Sequence, residues 1–148
     1  MISRFPLARP GEATTEIGCV RILRLYQQLY RLIKIMSEIK NYHAHVYFTE
    51  DSVEEARKLC KKASALFSLS MGKMHHKEVG PHSQWSCQLA FTAEKFGEVV
   101  PWLATHRSGL VILIHPQTGD VVKDHTSHAI WLGQSIPLDL VALTSTED

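Results

Sequence analysis

An α+β domain, built on one antiparallel sheet with its helices on a single face, is the fold class that the sequence predicts. Three observations predict it. Four strand-length segments, YHAHVYF, SLSMGKMH, QWSCQLAF and LVILIH, are spaced along residues 42–115. Two amphipathic helical stretches follow the first and the third of them. The resulting order, βαββαβ, packs most simply as four antiparallel strands covered on one side by both helices.

Taken in order, the first 40 residues differ from the rest. MISRFPLARPGEATTEIG is a polar lead marked by Pro and Gly, and CVRILRLYQQLYRLIKIM is a basic amphipathic run in which Arg21, Arg24, Arg31 and Lys34 recur near helical spacing. Two readings fit: a targeting or membrane-surface helix, or an extension upstream of Met36, with MSEIKNYHAHVYF as the native beginning. Residues 1–40 are therefore expected to be an extension or targeting segment, and residues 41–148 a single domain. A cytoplasmic location is the default, with organelle import through residues 1–35 as the alternative.

From residue 42 the pattern is regular. Alternation across a strand sends His43, His45 and Tyr47 to one face and Ala44, Val46 and Phe48 to the other. TEDSVEEARKLCKKASALF then supplies a helix, with Asp51 or Thr49 as cap and Glu54 and Glu55 at its positive end. Its Val53, Ala56, Leu59, Cys60, Ala63, Leu66 and Phe67 form one buried stripe. A second strand covers 68–75, Gly80-Pro81 marks a turn, and a third strand covers 84–91. The second helix, 92–106, takes Thr92 as cap and tolerates Pro101 because the carbonyl it crowds belongs to Gly97. LVILIH, 110–115, is a buried strand ended by the PQTGD turn.

This ferredoxin-like topology carries the spatial order 4-1-3-2. The start of the first strand then lies beside the end of the last, which sets His43 and His45 next to His115.

The totals narrow the function classes. A chain of 148 residues, 45% hydrophobic and 21% charged, suits one globular domain. Sixteen basic against fifteen acidic side chains give a charge of +1, so there is no electrostatic footprint for nucleic acid. Three cysteines without a CxxC argue for reduced thiols rather than a disulfide framework or zinc knuckle. No apolar run approaches the roughly 20 residues of a membrane span. The anomaly is histidine: nine are present, all between residues 43 and 128.

Three imidazoles meeting at adjacent strand ends suffice for a first-row divalent metal. The two rings of an HxH strand motif stand about 7 Å apart, close enough to share one ion, so His43, His45 and His115 are the metal candidates. His125 and His128, three residues apart in DHTSHAIWLG, are candidate ligands, orienting groups or proton-transfer groups. Trp131 reads as a packing residue. His82 shares the polar face of the third strand with Gln84, Ser86 and Gln88, yet an extended chain places it roughly 20 Å from the ion. A second subunit stacked on the open sheet face would bring it closer, so a homodimer is expected. His75 and His76 are placed at the far edge, and His106 at the negative end of its helix.

Four segments together, YHAHVYF, HHKEVGPHSQW, LVILIHPQTGD and DHTSHAIWLG, resemble in order and spacing the DOPA dioxygenase family, over about residues 41–133. These are small proteins similar to the fungal enzyme that opens the catechol ring of DOPA in betalain synthesis. The resemblance implies extradiol cleavage of DOPA or a related catechol with non-haem Fe(II) and O2, zinc or another divalent metal being the alternative. It implies His43, His45 and His115 as ligands, His82 and His125 as acid/base or substrate-orienting groups, to which His128 is added as a catalytic candidate, and Tyr47 and Asp124 as supporting partners. The chain departs from the family where His76-Lys77-Glu78 replace an acidic residue, a basic residue and proline before GPH, and where Ser83 replaces a proline after it. The rival class is a non-catalytic dimeric module holding a metal or an aromatic ligand. A haem-binding α+β barrel fits less well, because it needs one axial histidine and a large apolar pocket.

Overall fold

The computed structural model describes residues 20–31 and 39–144. The chain divides into two compact units, Met1–Ser37 and Glu38–Asp148. Residues 20–31 of the first unit are helical; the polar lead, Cys19 and Met36 lie outside the described residues.

The second unit is built on a sheet with β1 (Asn41–Phe48) near its middle, β2 (Ser70–His75), β3 (Trp85–Thr92), β4 (Ile112–Pro116) and β5 (Ile130–Leu132). The spatial order is β2-β3-β1-β4-β5 and every pairing is antiparallel. The expected order 4-1-3-2 is present within it, and β5 adds an edge beside β4. Three residues are too few to show a period of two, so IWL gave no strand signal.

The apolar side of β1 makes the core. Ala44, Val46 and Phe48 join Cys87, Leu89 and Phe91 of β3 and Ile112 and Ile114 of β4 beneath two helices. Helix α1 (Val53–Phe67) buries Ala56, Leu59, Cys60 and Ala63, whose mostly small side chains let it lie close to the strands. Its N-cap is Ser52 rather than Thr49 or Asp51, and the Ser52 hydroxyl accepts a hydrogen bond from the Thr49 amide (2.9 Å) instead of capping the helix. Helix α2 (Phe96–His106) runs through Pro101 and buries Val99 and Leu103; the 3-10 turn Ala93–Lys95 leads into it.

The opposite sheet face is where the sequence expectation needs correcting. It is covered by the chain itself, through residues 76–84, the short helix α3 (Val121–His125) and the segment before α4 (Val141–Thr144). The strand β3 starts only at Trp85. Before it, Gly80 (φ +57°) lets the chain reverse, so that Val79 and His82 bridge each other and His82 also bridges Leu138. His82 is thus folded back over the sheet rather than extended away from it. The estimate of roughly 20 Å, which assumed an extended strand, fails for that reason, and with it the need for a second subunit to deliver His82.

Candidate functional site

Strand register builds the site. His43 of β1 stands opposite His115 of β4, and His45 stands between Gln88 of β3 and Leu113 of β4. The ring of His43 lies 5.3 Å from that of His115 and 5.9 Å from that of His45. His45 Nε2 and His115 Nε2 are 3.2 Å apart. Two nitrogens bound at about 2.1 Å to one ion, at angles between octahedral and tetrahedral, would stand roughly 2.9–3.4 Å apart. The pair therefore fits a shared divalent ion. The donor atoms of His43, His45 and His115 all lie within 4.8 Å of one another, and so do those of His45, His82 and His125. The histidine cluster can hold a metal ion.

The second group comes from loops. His82 sits 3.9 Å, ring to ring, from His45, and its Nδ1 is hydrogen-bonded to the Tyr47 hydroxyl at 2.7 Å. His125, on the last turn of α3, lies 4.0 Å from His115 and 5.8 Å from His82. His43, His45, His82, His115 and His125 line one cavity of about 250 Å³ together with His75, Ser86, Gln88 and the Val79–Pro81 turn.

Hydrogen bonds set the tautomers. His115 Nδ1–H donates to the Pro116 carbonyl (2.8 Å) and His125 Nδ1–H to the Val121 carbonyl (2.9 Å). A neutral ring that donates from Nδ1 keeps its lone pair on Nε2. In the metal-free protein His45 Nε2–H then donates to His115 Nε2. His82 differs. Burial pushes the Tyr47 phenol up, so it keeps a proton to donate to His82 Nδ1. The proton of neutral His82 is left on Nε2, facing the other rings.

Burial also decides the charge state. Desolvation, reinforced by the neighbouring imidazoles, holds His45 well below the usual histidine range and His43 below it, and pushes His82 down to about 4. His115 is pushed down to about 4 chiefly by burial, against its bond to Pro116. These rings are neutral near pH 7. They need lose no proton to bind a cation.

The remaining candidates separate clearly. His128 does not line the cavity; its Nδ1–H donates to Asp124 Oδ1 at 3.1 Å. Asp124 is buried and accepts from the Thr118 amide (2.9 Å) and hydroxyl (2.6 Å). Burial works against its charge, but the bonds from Thr118 and His128 keep its carboxyl below the ordinary aspartate range. Asp124 thus fixes the turn that presents α3. Trp131 stacks on Tyr47 at 6.0 Å, as a packing residue should. His106 donates to the Trp102 carbonyl at 2.8 Å, at the negative end of α2. His76 packs against Trp85 and Phe48.

His75 was missed as a lining residue. The signal was present in the register: His75 pairs with Ser86, which pairs with Tyr47, so all three share the histidine face. The segment after β5 was missed too. Leu138 bridges His82, the Asp139 amide donates to the Pro81 carbonyl (2.9 Å), and the Ser83 hydroxyl donates to the Pro137 carbonyl (2.7 Å).

The model of the Dopa 4,5-dioxygenase family matches residues 42–142, a span that takes in every cavity-lining histidine and the segment tied to Pro81 and Ser83. Over 121 residues the chain is 30% identical to DOPA 4,5-dioxygenase of Amanita muscaria, covering 76% of this chain and 53% of that protein. Over 111 residues it is 33% identical to an uncharacterized 21.2 kDa protein of Botryotinia fuckeliana, covering 67% and 61%. The chain thus spans little more than half the length of these relatives. A crystal structure of a candidate dioxygenase from Nostoc punctiforme matches with a TM-score of 0.72 at 40% identity, over 74% of this chain and 95% of that one.

Proposed function

Because the chain belongs to the Dopa 4,5-dioxygenase family, we propose that it is an extradiol ring-cleaving dioxygenase acting on DOPA or a related catechol, with Fe(II) held by His43, His45 and His115. The observation that carries this reading is the convergence of three neutral imidazoles at adjacent strand ends, two of them with Nε2 atoms 3.2 Å apart. A ferrous ion bound there would supply the place where both catechol oxygens and dioxygen are brought together, with both oxygen atoms entering the product as one ring carbon–carbon bond breaks beside the diol.

The chain's own groups do the rest. His125 offers its Nε2 lone pair beside His115 and is the base for a catechol hydroxyl. His82 presents Nε2–H, with Nδ1 held by Tyr47, and is the group that returns a proton as the ring opens. Ser86 and Gln88 offer polar contacts along the cavity wall. His128 serves through Asp124 and the α3 turn rather than at the reacting atoms.

One observation favours the non-catalytic alternative. His45 belongs to both possible ligand groups, so His82 or His125 could complete a closed shell around an ion and leave no position for substrate. Reconstituting the full chain with Fe(II) without air, then adding DOPA, caffeate or catechol in air, separates the two. Dioxygenase activity gives a yellow semialdehyde and matched oxygen uptake, both lost in His115→Ala. Stoichiometric iron with no oxygen uptake on any of the three catechols would leave the binding module as the function.

A further inference from the structure

The helical residues 20–31 carry an amphipathic face that the histidine site does not use. At 3.6 residues per turn, Arg21, Arg24, Gln27, Gln28 and Arg31 fall, with Val20, in a sector about 120° wide. Ile22, Leu23, Leu25, Tyr26, Leu29 and Tyr30 occupy the opposite side. These six are between 55% and 69% exposed, a patch of large apolar side chains of the kind that marks an interaction surface.

Charge says what covers it. Residues 1–37 hold six basic and two acidic side chains, a net of +4, whereas residues 38–148 hold ten basic and thirteen acidic, a net of −3. No acid lies between Glu16 and Glu38. The arginines are therefore placed to meet an anionic surface, which the rest of the chain has no net charge to seek. An apolar face bordered by arginines, without acids, matches a helix lying in the interface of an anionic bilayer. Such a helix lies on the membrane rather than across it; no helix among the described residues is long and apolar enough to cross.

We propose that residues 20–31 dock this chain on an anionic lipid surface, with Ile22, Leu25 and Leu29 entering the acyl boundary and Arg21, Arg24 and Arg31 meeting the lipid phosphates. The full chain should co-sediment with phosphatidylcholine vesicles containing phosphatidylglycerol and bind pure phosphatidylcholine vesicles far more weakly. Each arginine is expected to strengthen binding roughly fivefold. The triple variant Arg21→Gln, Arg24→Gln, Arg31→Gln should accordingly bind about 100-fold more weakly, and 0.5 M salt should weaken the unaltered chain in the same direction. Leu25→Asp with Leu29→Asp should abolish sedimentation, with thermal melts checking that each variant folds. Equal binding to both vesicle types, or none to the anionic ones, would overturn the proposal. So would a lipid-free oligomer, seen by equilibrium sedimentation, that the Leu25→Asp and Leu29→Asp pair dissolves, because a second copy would then cover the face.

Discussion

Acidifying the metal-free protein tests the histidine cluster without any assumption about substrate. His82 and His115 titrate at about 4 in the folded chain, because burial disfavours the imidazolium. In the unfolded chain a histidine titrates near 6.5. Between those values the unfolded state binds more protons, so folding stability is fully present above pH 6.5 and is lost as pH falls toward 4. At pH 5 a group with these two values costs about 2 kcal/mol relative to pH 7.5, and two such groups cost about 4 kcal/mol. That is a large part of the stability of an ordinary domain. His43 and His45 shift in the same direction and steepen the loss. Asp124, held below the ordinary aspartate range, adds its own loss only at still lower pH. Urea unfolding at pH 7.5, 6 and 5 in a chelator reads the slope directly, and His115→Gln should recover about 2 kcal/mol of the loss at pH 5. A stability that changed by less than about 1 kcal/mol over that range would mean that the rings accept protons freely and that burial does not hold them neutral.

Three further outcomes follow from single contacts. Tyr47→Phe leaves the packing on Trp131 but removes the hydroxyl from His82 Nδ1; thermal melts should show a loss of about 1–2 kcal/mol, and, if His82 returns the proton, product formation should slow while metal binding is retained. Asp124→Asn exchanges a carboxylate that accepts three hydrogen bonds for an amide, so stability should fall by about 1–3 kcal/mol, with the α3 turn exchanging its amide hydrogens faster than β1. Ser83→Ala removes the bond to the Pro137 carbonyl; the expected loss is about 1 kcal/mol, and faster hydrogen exchange confined to residues 79–83 and 136–140 would distinguish local loosening from global destabilisation.

The strands that carry the clustered histidines were legible in the sequence because alternation is a local signal. YHAHVYF declares both its faces, and once the element order fixes β1 beside β4, the meeting of His43 with His115 follows from topology alone. His82 was legible as a candidate but not as a neighbour of His45. Its position depends on a reversal at Gly80 and on a bridge to Leu138, 56 residues later in the chain. A pattern read along a strand assumes extension, and GPH breaks it. The same holds for the α1 cap: Thr49, Asp51 and Ser52 all suit the position by type, and only the local fold decides among them.

The roles proposed for His82, His115 and His125 follow from where each ring is anchored. His115 and His125 give Nδ1–H to backbone carbonyls, an acceptor that cannot become a donor, so their Nε2 lone pairs are fixed toward the cavity. His82 instead leans on a phenol that can donate or accept, and of these anchored rings it is the one whose tautomer can exchange without breaking its hydrogen bond. Rings with fixed lone pairs are suited to hold a cation or to take a proton from substrate, whereas a ring with an exchangeable tautomer is suited to pass one on. In Tyr47→Phe that exchange loses its partner. A solvent isotope effect on ring opening that is present in the unaltered chain and changed in Tyr47→Phe would place the proton transfer at His82, while an identical effect in both would move it to His125.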